Sequence, residues 1–369
     1  MNQRIMRLPK WCVVGISILI VAFFLLMLYA GSWVLQVLPV VWTGYSMDML
    51  GELLAALVGT LLLIWFGYGG ILRQRGAGFV RGFYIGGFVV GQIGMAMIGM
   101  LYLQMMEDPV KVQSWWNIVI FAVTMFLVGY AEEVFLRGIV LNLLIQRFSK
   151  TGRGVLGAVL ISSIIFGLAH FSNLAAGANL ESVCVQVIEA VVLGIIFAAI
   201  YLRSNNIWVT IILHGLMDFA SLQGSGIFDQ GDLVDGISML SSYNLIAVPF
   251  LLIPCFVLLR KRKLDEIVAR VQGWKPIPGE GEAESTAAIS LALGIIGCLT
   301  GFLGIGIGIA IDGLLGGITS LKLRGEKNGL AIAAVGISAV AIMIAVIMTL
   351  ILCWVYYNMG GELGQMMEI

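Results

Sequence analysis

Charged side chains are scarce in this chain. Aspartate, glutamate, lysine and arginine make up 11% of its 369 residues, whereas 60% are hydrophobic and the mean hydropathy is +1.01. A soluble domain of this length does not have such a composition, but a polytopic membrane protein does. The 21 basic and 21 acidic residues cancel, so the chain lacks the excess of positive charge that would indicate nucleic-acid binding. We therefore expect an integral membrane protein.

Paired cysteines and the HExxH motif of zinc proteases are also missing. No CxxC pair occurs, so neither a disulfide framework nor a cysteine metal site is indicated. The chain has only two histidines, His170 and His214, and both lie in apolar stretches. The five cysteines lie in apolar segments too, where small core residues are expected: Cys12, Cys184, Cys255, Cys298 and Cys353.

The apolar runs predict an all-α, polytopic transmembrane helix bundle. Basic residues recur in alternate loops, at 73–81, 147–153 and 260–263, which places these loops and the N-terminus in the cytoplasm. About eight spans are expected before residue 263 and two or three more after residue 286. The first eight are predicted at about 11–41, 49–71, 82–104, 116–146, 154–172, 183–202, 207–222 and 243–260.

A change in composition predicts the domain boundaries. Residues 1–263 form the first membrane domain, 264–285 are a cytoplasmic linker containing proline and glycine, and 286–369 form a glycine-rich membrane module. Residues 286–320 are 35 residues long, whereas one span needs about 20. This stretch is either one long segment or two short helices with a break near residues 301–304. Packing or partner association is the expected role of the module.

The stretch Gly129-Tyr-Ala-Glu-Glu-Val-Phe-Leu-Arg-Gly138 places two carboxylates and an arginine inside an apolar run. Charges at bilayer depth are expensive and usually face a bundle interior or a wet cavity. Glu133 and Arg137 are four residues apart and can pair on one helical face. Glu132 is rotated by about 100° and remains free for another task. A purely structural alternative is a buried ionic cluster that joins helices.

Both histidines lie in predicted spans that also carry polar groups. His170 ends the fifth span, and His214 lies four residues before Asp218 in the seventh, so those two share one helical face. Two carboxylates and two histidines can activate water and stabilise an oxyanion. Glu132, His170 and His214 could also hold zinc, although we favour a metal-free site and predict no cofactor firmly.

Counting residues from the cytoplasmic loops tests whether these groups can meet. Glu132 and His170 both lie roughly 21–24 Å from the loop at 147–153, at about 1.5 Å per residue, so a helical hairpin would bring them together. His214 lies shallower, about 12–15 Å from its own inner loop. A meeting of all three therefore requires a tilted helix or a recessed loop.

Three ordered motifs resemble those of the CAAX-processing and bacteriocin-processing (CPBP) family of intramembrane proteases. The resemblance extends over about residues 80–225 and implies an all-helical membrane bundle that encloses a cavity. Residues 286–358 are similar to a small glycine-rich membrane domain of bacterial proteins. The motifs are Glu132-Glu133-x-x-x-Arg137, Phe166-x-x-x-His170 and His214-x-x-x-Asp218.

The resemblance implies a role for each motif residue. Glu132 and His170 would activate the hydrolytic water, His214 and Asp218 would stabilise the oxyanion, and the remaining charged pair of the first motif would support them. The prenyl-protein branch usually has asparagine where Asp218 stands. An ionised aspartate cannot donate a hydrogen bond, so Asp218 is either protonated or orients His214.

Three further residues are candidates for substrate binding. Gln186 and Glu189 lie on the same side of the sixth span, where they either line the cavity or pair with helix neighbours. Phe166 belongs to the second motif and is expected to contact substrate.

The predicted function is an intramembrane endopeptidase acting on membrane-associated, in some cases prenylated, proteins or peptides in a bacterial plasma membrane. Two alternatives from other classes remain open. The same fold could be a non-catalytic peptide-binding or immunity scaffold. It could also be a proton-coupled transporter in which the intramembrane acids and histidines form a relay.

Overall fold

All regular elements that the structure describes are helical. A computed structural model describes residues 7–38, 42, 44–74, 78–105, 111–228, 230–273, 282–300, 306–324 and 328–367. Helices satisfy their backbone hydrogen bonds internally, which an apolar chain in a bilayer requires. The predicted all-α fold is therefore confirmed.

Sixteen α-helices lie in these described ranges, together with four segments of other helix types. The α-helices are α1 (Lys10–Gln36), α2 (Ser46–Trp65), α3 (Phe79–Ile85), α4 (Gly87–Met105), α5 (Trp115–Glu133), α6 (Asn142–Phe148), α7 (Gly152–Ala169), α8 (Leu180–Ser204), α9 (Ile207–Ser221), α10 (Gln223–Ile227), α11 (Leu233–Ser238), α12 (Val248–Leu258), α13 (Lys261–Val271), α14 (Glu282–Thr300), α15 (Gly306–Arg324) and α16 (Gly329–Met367). The other segments are 3₁₀ helices at Gly69–Arg73, His170–Leu174 and Ser242–Ala247 and a π-helix at Val134–Leu141.

Polar side chains fix the ends of the helices that carry the motifs. The side chains of Ser114, Thr151, Asn179 and Asn206 accept hydrogen bonds from backbone N–H groups in the first turns of α5, α7, α8 and α9. Such caps satisfy donors that a helix start leaves open. Helix α8 ends at Ser204 and is capped by Asn205, whose φ of 54° places it in the left-handed region.

The helices that can cross a membrane number six in the described residues, or seven if α3 and α4 form one broken span. The chain is thus an integral membrane protein. The predicted seventh span, 207–222, matches α9 to within one residue, whereas α12 has only 11 residues and is shorter than the predicted eighth span, 243–260. At 1.5 Å per residue, α9 is only about 22 Å long. Pro254 inside α12 removes a helix hydrogen bond.

The chain divides into two compact units, Met1–Gly82 with Lys111–Ile277, and Phe83–Val110 with Pro278–Ile369. The core of the first unit includes the π-helical segment Val134–Leu141, all of whose residues are buried. The predicted boundaries had placed residues 87–105 in the first domain, whereas their contacts group α4 with the C-terminal helices. The domain partition at 263 and 286 otherwise stays a prediction.

Small residues explain why α4 joins the glycine-rich helices of the second unit. A Cβ atom added to Gly308 of α15 would lie 2.3 Å from the Cα atom of Gly91 in α4. A Cβ atom on Gly297 of α14 would lie 3.0 Å from the Cα atom of Ala310. Such contacts exist only where side chains are nearly absent. Residues 286–300 belong to α14 and residues 306–320 to α15, in agreement with the two-helix alternative, and the expected break at 301–304 lies outside the described residues.

Candidate active site

A close crossing of α5 and α9 brings the first and third motifs together. A Cβ atom added to Gly129 would lie 2.6 Å from the backbone nitrogen of Gly215 and 2.9 Å from the carbonyl oxygen of Ile211. On the opposite helix, a Cβ atom at Gly215 would lie 3.0 Å from the carbonyl oxygen of Met125. Glycine at both positions lets the backbones touch. The carboxylates at the end of α5 therefore reach His214.

The helix that carries the first motif changes its winding at the motif. Helix α5 ends at Glu133, and the chain continues as the π-helix Val134–Leu141. The Asn142 side chain donates hydrogen bonds to the carbonyl oxygens of Arg137, at 3.0 Å, and Gly138, at 2.9 Å. These bonds satisfy acceptors within the π-helical segment. Short π-helices inside α-helices occur frequently at functional sites.

The side chain of Glu133 is fully buried, and one of its carboxylate oxygens contacts both the guanidinium of Arg137 and the ring of His214. The Oε1 atom lies 2.8 Å from Nη1 of Arg137 and 2.9 Å from Nδ1 of His214. The pairing of Glu133 with Arg137 that the spacing predicts is thus confirmed. Arg137 also donates from Nη2 to the carbonyl oxygen of Gly194 at 3.3 Å. A buried ion pair with further hydrogen bonds fixes the position of its members.

The His214 ring is held so that one nitrogen faces the other two carboxylates. Because a carboxylate accepts hydrogen bonds, the contact with Glu133 assigns a proton to Nδ1. The opposite atom, Nε2, lies 3.4 Å from Oε2 of Glu132 and 3.7 Å from Oδ2 of Asp218. The ring stacks on Phe197 with a centroid distance of 4.9 Å. Glu133 therefore orients His214, which was one of the two roles left open for Asp218.

The predicted catalytic residues line one cavity of about 410 Å³ in the first unit: Glu132, His170, His214 and Asp218. The side chains of Glu132 and Asp218 are 20% and 25% exposed, whereas Glu133 is inaccessible. Glu132 and Asp218 can therefore meet a substrate or a water molecule. Glu133 acts through His214 and Arg137.

His170 lies at the junction of α7 and the following 3₁₀ helix. Its Nδ1 atom lies 3.0 Å from the carbonyl oxygen of Phe166. A carbonyl oxygen accepts hydrogen bonds, so this contact assigns a proton to Nδ1 and leaves Nε2 able to accept one. The ring meets Phe166 edge to face at 4.9 Å. This arrangement suits a histidine that orients water.

The three predicted substrate-binding residues all line the cavity. Phe166 is only 4% exposed and its ring also contacts His214, at 5.8 Å, and Arg137, at 4.9 Å. Gln186 accepts a hydrogen bond of 2.7 Å from the side chain of Asn173. Phe166 thus packs the catalytic groups in place. Substrate contact by Phe166, Gln186 and Glu189 stays a prediction.

The depth count from the sequence placed His214 too shallow to meet Glu132. The structure nevertheless brings them together, since Nε2 of His214 lies 3.4 Å from Oε2 of Glu132. In the turn between α8 and α9, Ser204 and Asn206 are buried, whereas Asn205 is exposed. The choice between a tilted helix and a recessed loop stays a prediction.

Sequence reasoning missed two acids of the cavity wall. Asp48 and Glu52 of α2 line the same cavity as Glu132. Glu52 lay inside the predicted second span. A charged residue inside a span usually marks a functional site, so Glu52 deserved the same notice as Glu132. Asp48 lies four residues before Glu52, a spacing that places both side chains on one face of the helix.

The conditional metal ligands do not form a ligand set in the structure. No group of three or more histidine, cysteine, aspartate or glutamate side chains in the described part of the chain has the arrangement of a metal site. Glu132, His170 and His214 all line the cavity, but they do not form a group that could hold one metal ion. The dependence of the protein on a metal stays a prediction, and the chemistry below uses the side chains alone.

Comparison with protein families gives a match in the middle of the chain. Residues 114–220 match the family model described as type II CAAX prenyl endopeptidase Rce1-like. The match covers 107 of the 369 residues, from 114 to 220, and includes all three motifs. Neither the curated proteins nor the solved structures give a significant match. The family resemblance is confirmed over this segment.

Proposed function

From the Rce1-like match of residues 114–220, we propose that the chain is a CAAX-type intramembrane endopeptidase. It hydrolyses peptide bonds of membrane-associated proteins or peptides with water activated by a glutamate and a histidine. One observation carries the proposal. Glu132, His170, His214 and Asp218 line a single cavity in a bundle of apolar helices.

Glu132 and His170 activate the water in this proposal. The free Nε2 of His170 accepts one hydrogen bond from the water, and the partly exposed carboxylate of Glu132 accepts its other proton. The water oxygen then bonds to the peptide carbonyl carbon. The protonated Glu132 returns its proton to the leaving amine nitrogen as the carbon–nitrogen bond breaks. Glu132 is regenerated, so the proton balance closes.

His214 and Asp218 face the position where negative charge develops on the carbonyl oxygen. The buried Glu133–Arg137 pair fixes the Nδ1 side of the His214 ring and directs Nε2 into the cavity. Because the Nδ1 proton already faces Glu133, Nε2 can donate to the oxyanion only when the ring is protonated on both nitrogens. An imidazolium donor held in advance lowers the energy of an oxyanion without reorganisation. Asp218 contributes a donor only in its protonated form.

The proposed orientation has the N-terminus in the cytoplasm of a bacterial cell. The basic loops 147–153 and 260–263 support this orientation through the positive-inside rule. The partners are the lipid bilayer and a protein or peptide substrate that reaches the cavity.

Proteolysis in proteoliposomes tests the proposal. Wild type, Glu132→Ala and His170→Ala would receive membrane-anchored peptides, some of them farnesylated on a C-terminal cysteine, and the products would be read by mass spectrometry. We expect cleavage by wild type and a loss of about 10²-fold or more in both variants. The exposed acid Asp265 provides a control, since Asp265→Asn should cleave like wild type.

Two results would contradict the proposal. Full activity in a folded Glu132→Ala or His170→Ala protein would show that the substituted residue does not activate the water. Binding without cleavage by folded wild type favours the peptide-binding scaffold. A parallel reaction with a chelator tests metal dependence, and unchanged rates are the outcome that the metal-free mechanism predicts.

A further inference from the structure

The cavity contains more carboxyl groups than the hydrolytic mechanism uses. No lysine or arginine is among its described lining residues. The nearby Arg137 is already paired with the buried Glu133. Five carboxylate side chains line the cavity: Asp48, Glu52, Glu132, Glu189 and Asp218.

Two of these acids stand on one face of α2 and have no part in the mechanism. Asp48 and Glu52 are four residues apart, a spacing at which like charges destabilise a helix. Glu52 also lies within electrostatic reach of Glu132 and Asp218. Its Oε2 atom is buried and has no hydrogen-bond partner within the described chain. A buried acceptor without a partner is costly unless something else supplies a donor.

Most of the wall that helix α1 contributes is apolar. Six residues of this helix line the cavity, of which four are aliphatic or aromatic hydrocarbons, Val21, Phe24, Leu25 and Leu28, and two carry hydroxyl groups, Tyr29 and Ser32. A carboxylate at the end of an apolar wall matches a side chain with an aliphatic stem and a cationic tip. Lysine and arginine have this shape. A bare metal ion would not use the apolar wall, and the described acids form no metal-ligand group.

We propose that Asp48 and Glu52 bind the cationic side chain of a substrate lysine or arginine. The protein would then prefer peptides with a basic residue close to the cleaved bond. This inference rests on the proposed function, because it assigns the substrate class of the same cavity. It makes Asp48 and Glu52 specificity-determining residues, separate from the groups that activate water.

Binding measurements test the inference without depending on cleavage. Fluorescent membrane peptides that differ only in one position, lysine or its uncharged analogue norleucine, would be titrated into wild type in lipid nanodiscs. We expect the lysine peptide to bind about tenfold tighter or more, as a charge-assisted hydrogen bond in a buried site provides. In Glu52→Gln and Asp48→Asn the ratio of the two dissociation constants should fall towards one. Asp265→Asn is the matched control and should keep the wild-type ratio.

The possible results separate the two claims. Equal binding of the two peptides to wild type, or an unaltered ratio in both folded cavity variants, overturns the inference. Binding of Mg²⁺, Ca²⁺ or Zn²⁺ that requires Glu52 and displaces the lysine peptide overturns it in favour of a cation site. A lysine preference without any cleavage supports the inference and contradicts the endopeptidase. If both peptides bind with equal affinity and are cleaved with equal efficiency, the endopeptidase is supported and the inference is overturned.

Discussion

At the scale of single residues, Glu133 shows how a buried charge organises a site. One carboxylate oxygen contacts both the Arg137 guanidinium and the His214 ring. The adjacent Glu132 faces the cavity. Neighbouring glutamates therefore have different tasks because a helix turns by about 100° between them. Glu133 positions His214, whereas Glu132 lines the cavity, where we propose that it activates water.

The Glu133–Arg137 pair predicts different effects of single and double substitution. Glu133→Gln leaves the Arg137 charge buried and unpaired, so we expect a loss of about 3–5 kcal/mol in the free energy of unfolding and a large loss of activity. In Glu133→Gln with Arg137→Met, most of the stability should return, because no buried charge remains. Activity should stay low, because His214 has lost its charged partner. Unfolding in detergent micelles and peptide cleavage measure the two effects.

Comparing the single and double variants shows whether Glu133 positions His214 for activity or only stabilises the folded protein. A double variant that regains both stability and full cleavage would show that Glu133 serves only the fold. A single variant as stable as wild type would contradict the buried, charged state of the pair.

At the scale of helices, the crossing of α5 and α9 places the first motif beside the third. The crossing depends on Gly129 and Gly215, whose missing side chains leave room for backbone contact. At this crossing, Nε2 of His214 in α9 lies 3.4 Å from Oε2 of Glu132 in α5.

A methyl group at Gly129 should separate these helices. The added Cβ atom meets backbone atoms at 2.6 and 2.9 Å, which cannot rotate away. For Gly129→Ala we expect about 1–3 kcal/mol lower stability and a marked loss of cleavage. Gly157→Ala is the control, since its Cβ atom meets nothing within 4 Å. That variant should be neutral or slightly more stable, as alanine favours helix over glycine. Equal behaviour of the two variants in unfolding and cleavage assays would refute the role of the crossing.

At the scale of the whole molecule, sequence patterns predicted the membrane bundle and most of the site. Glu133 and Arg137 pair at the spacing that a helix requires, and the motif histidines line the cavity with Glu132. Residue spacing and the position of charges inside apolar runs were sufficient for this, because such charges usually face a bundle interior or a wet cavity. The length of residues 286–320 offered two short helices as one of two alternatives.

Other features depend on contacts that no local pattern records. Residue counting did not show that His214 meets Glu132, because that contact depends on how α5 and α9 pack against each other. Glu52 is an exception: the rule for charges inside apolar spans applied to it, but attention went to the helices that carry motifs. The grouping of α4 with the C-terminal helices arises from the Gly91–Gly308 contact, which joins residues far apart in the chain. Such long-range packing becomes visible only in three dimensions.

The central claim is that the cavity around Glu132 hydrolyses peptide bonds. Its most direct test is the initial cleavage rate of one membrane-anchored peptide by wild type, Glu132→Gln and Glu181→Gln in the same lipid. Glu181 is an exposed acid outside the cavity, so its variant should keep the wild-type rate. The account predicts that Glu132→Gln folds normally and loses the rate by about 10²-fold or more. Cleavage by folded Glu132→Gln at the wild-type rate would contradict it.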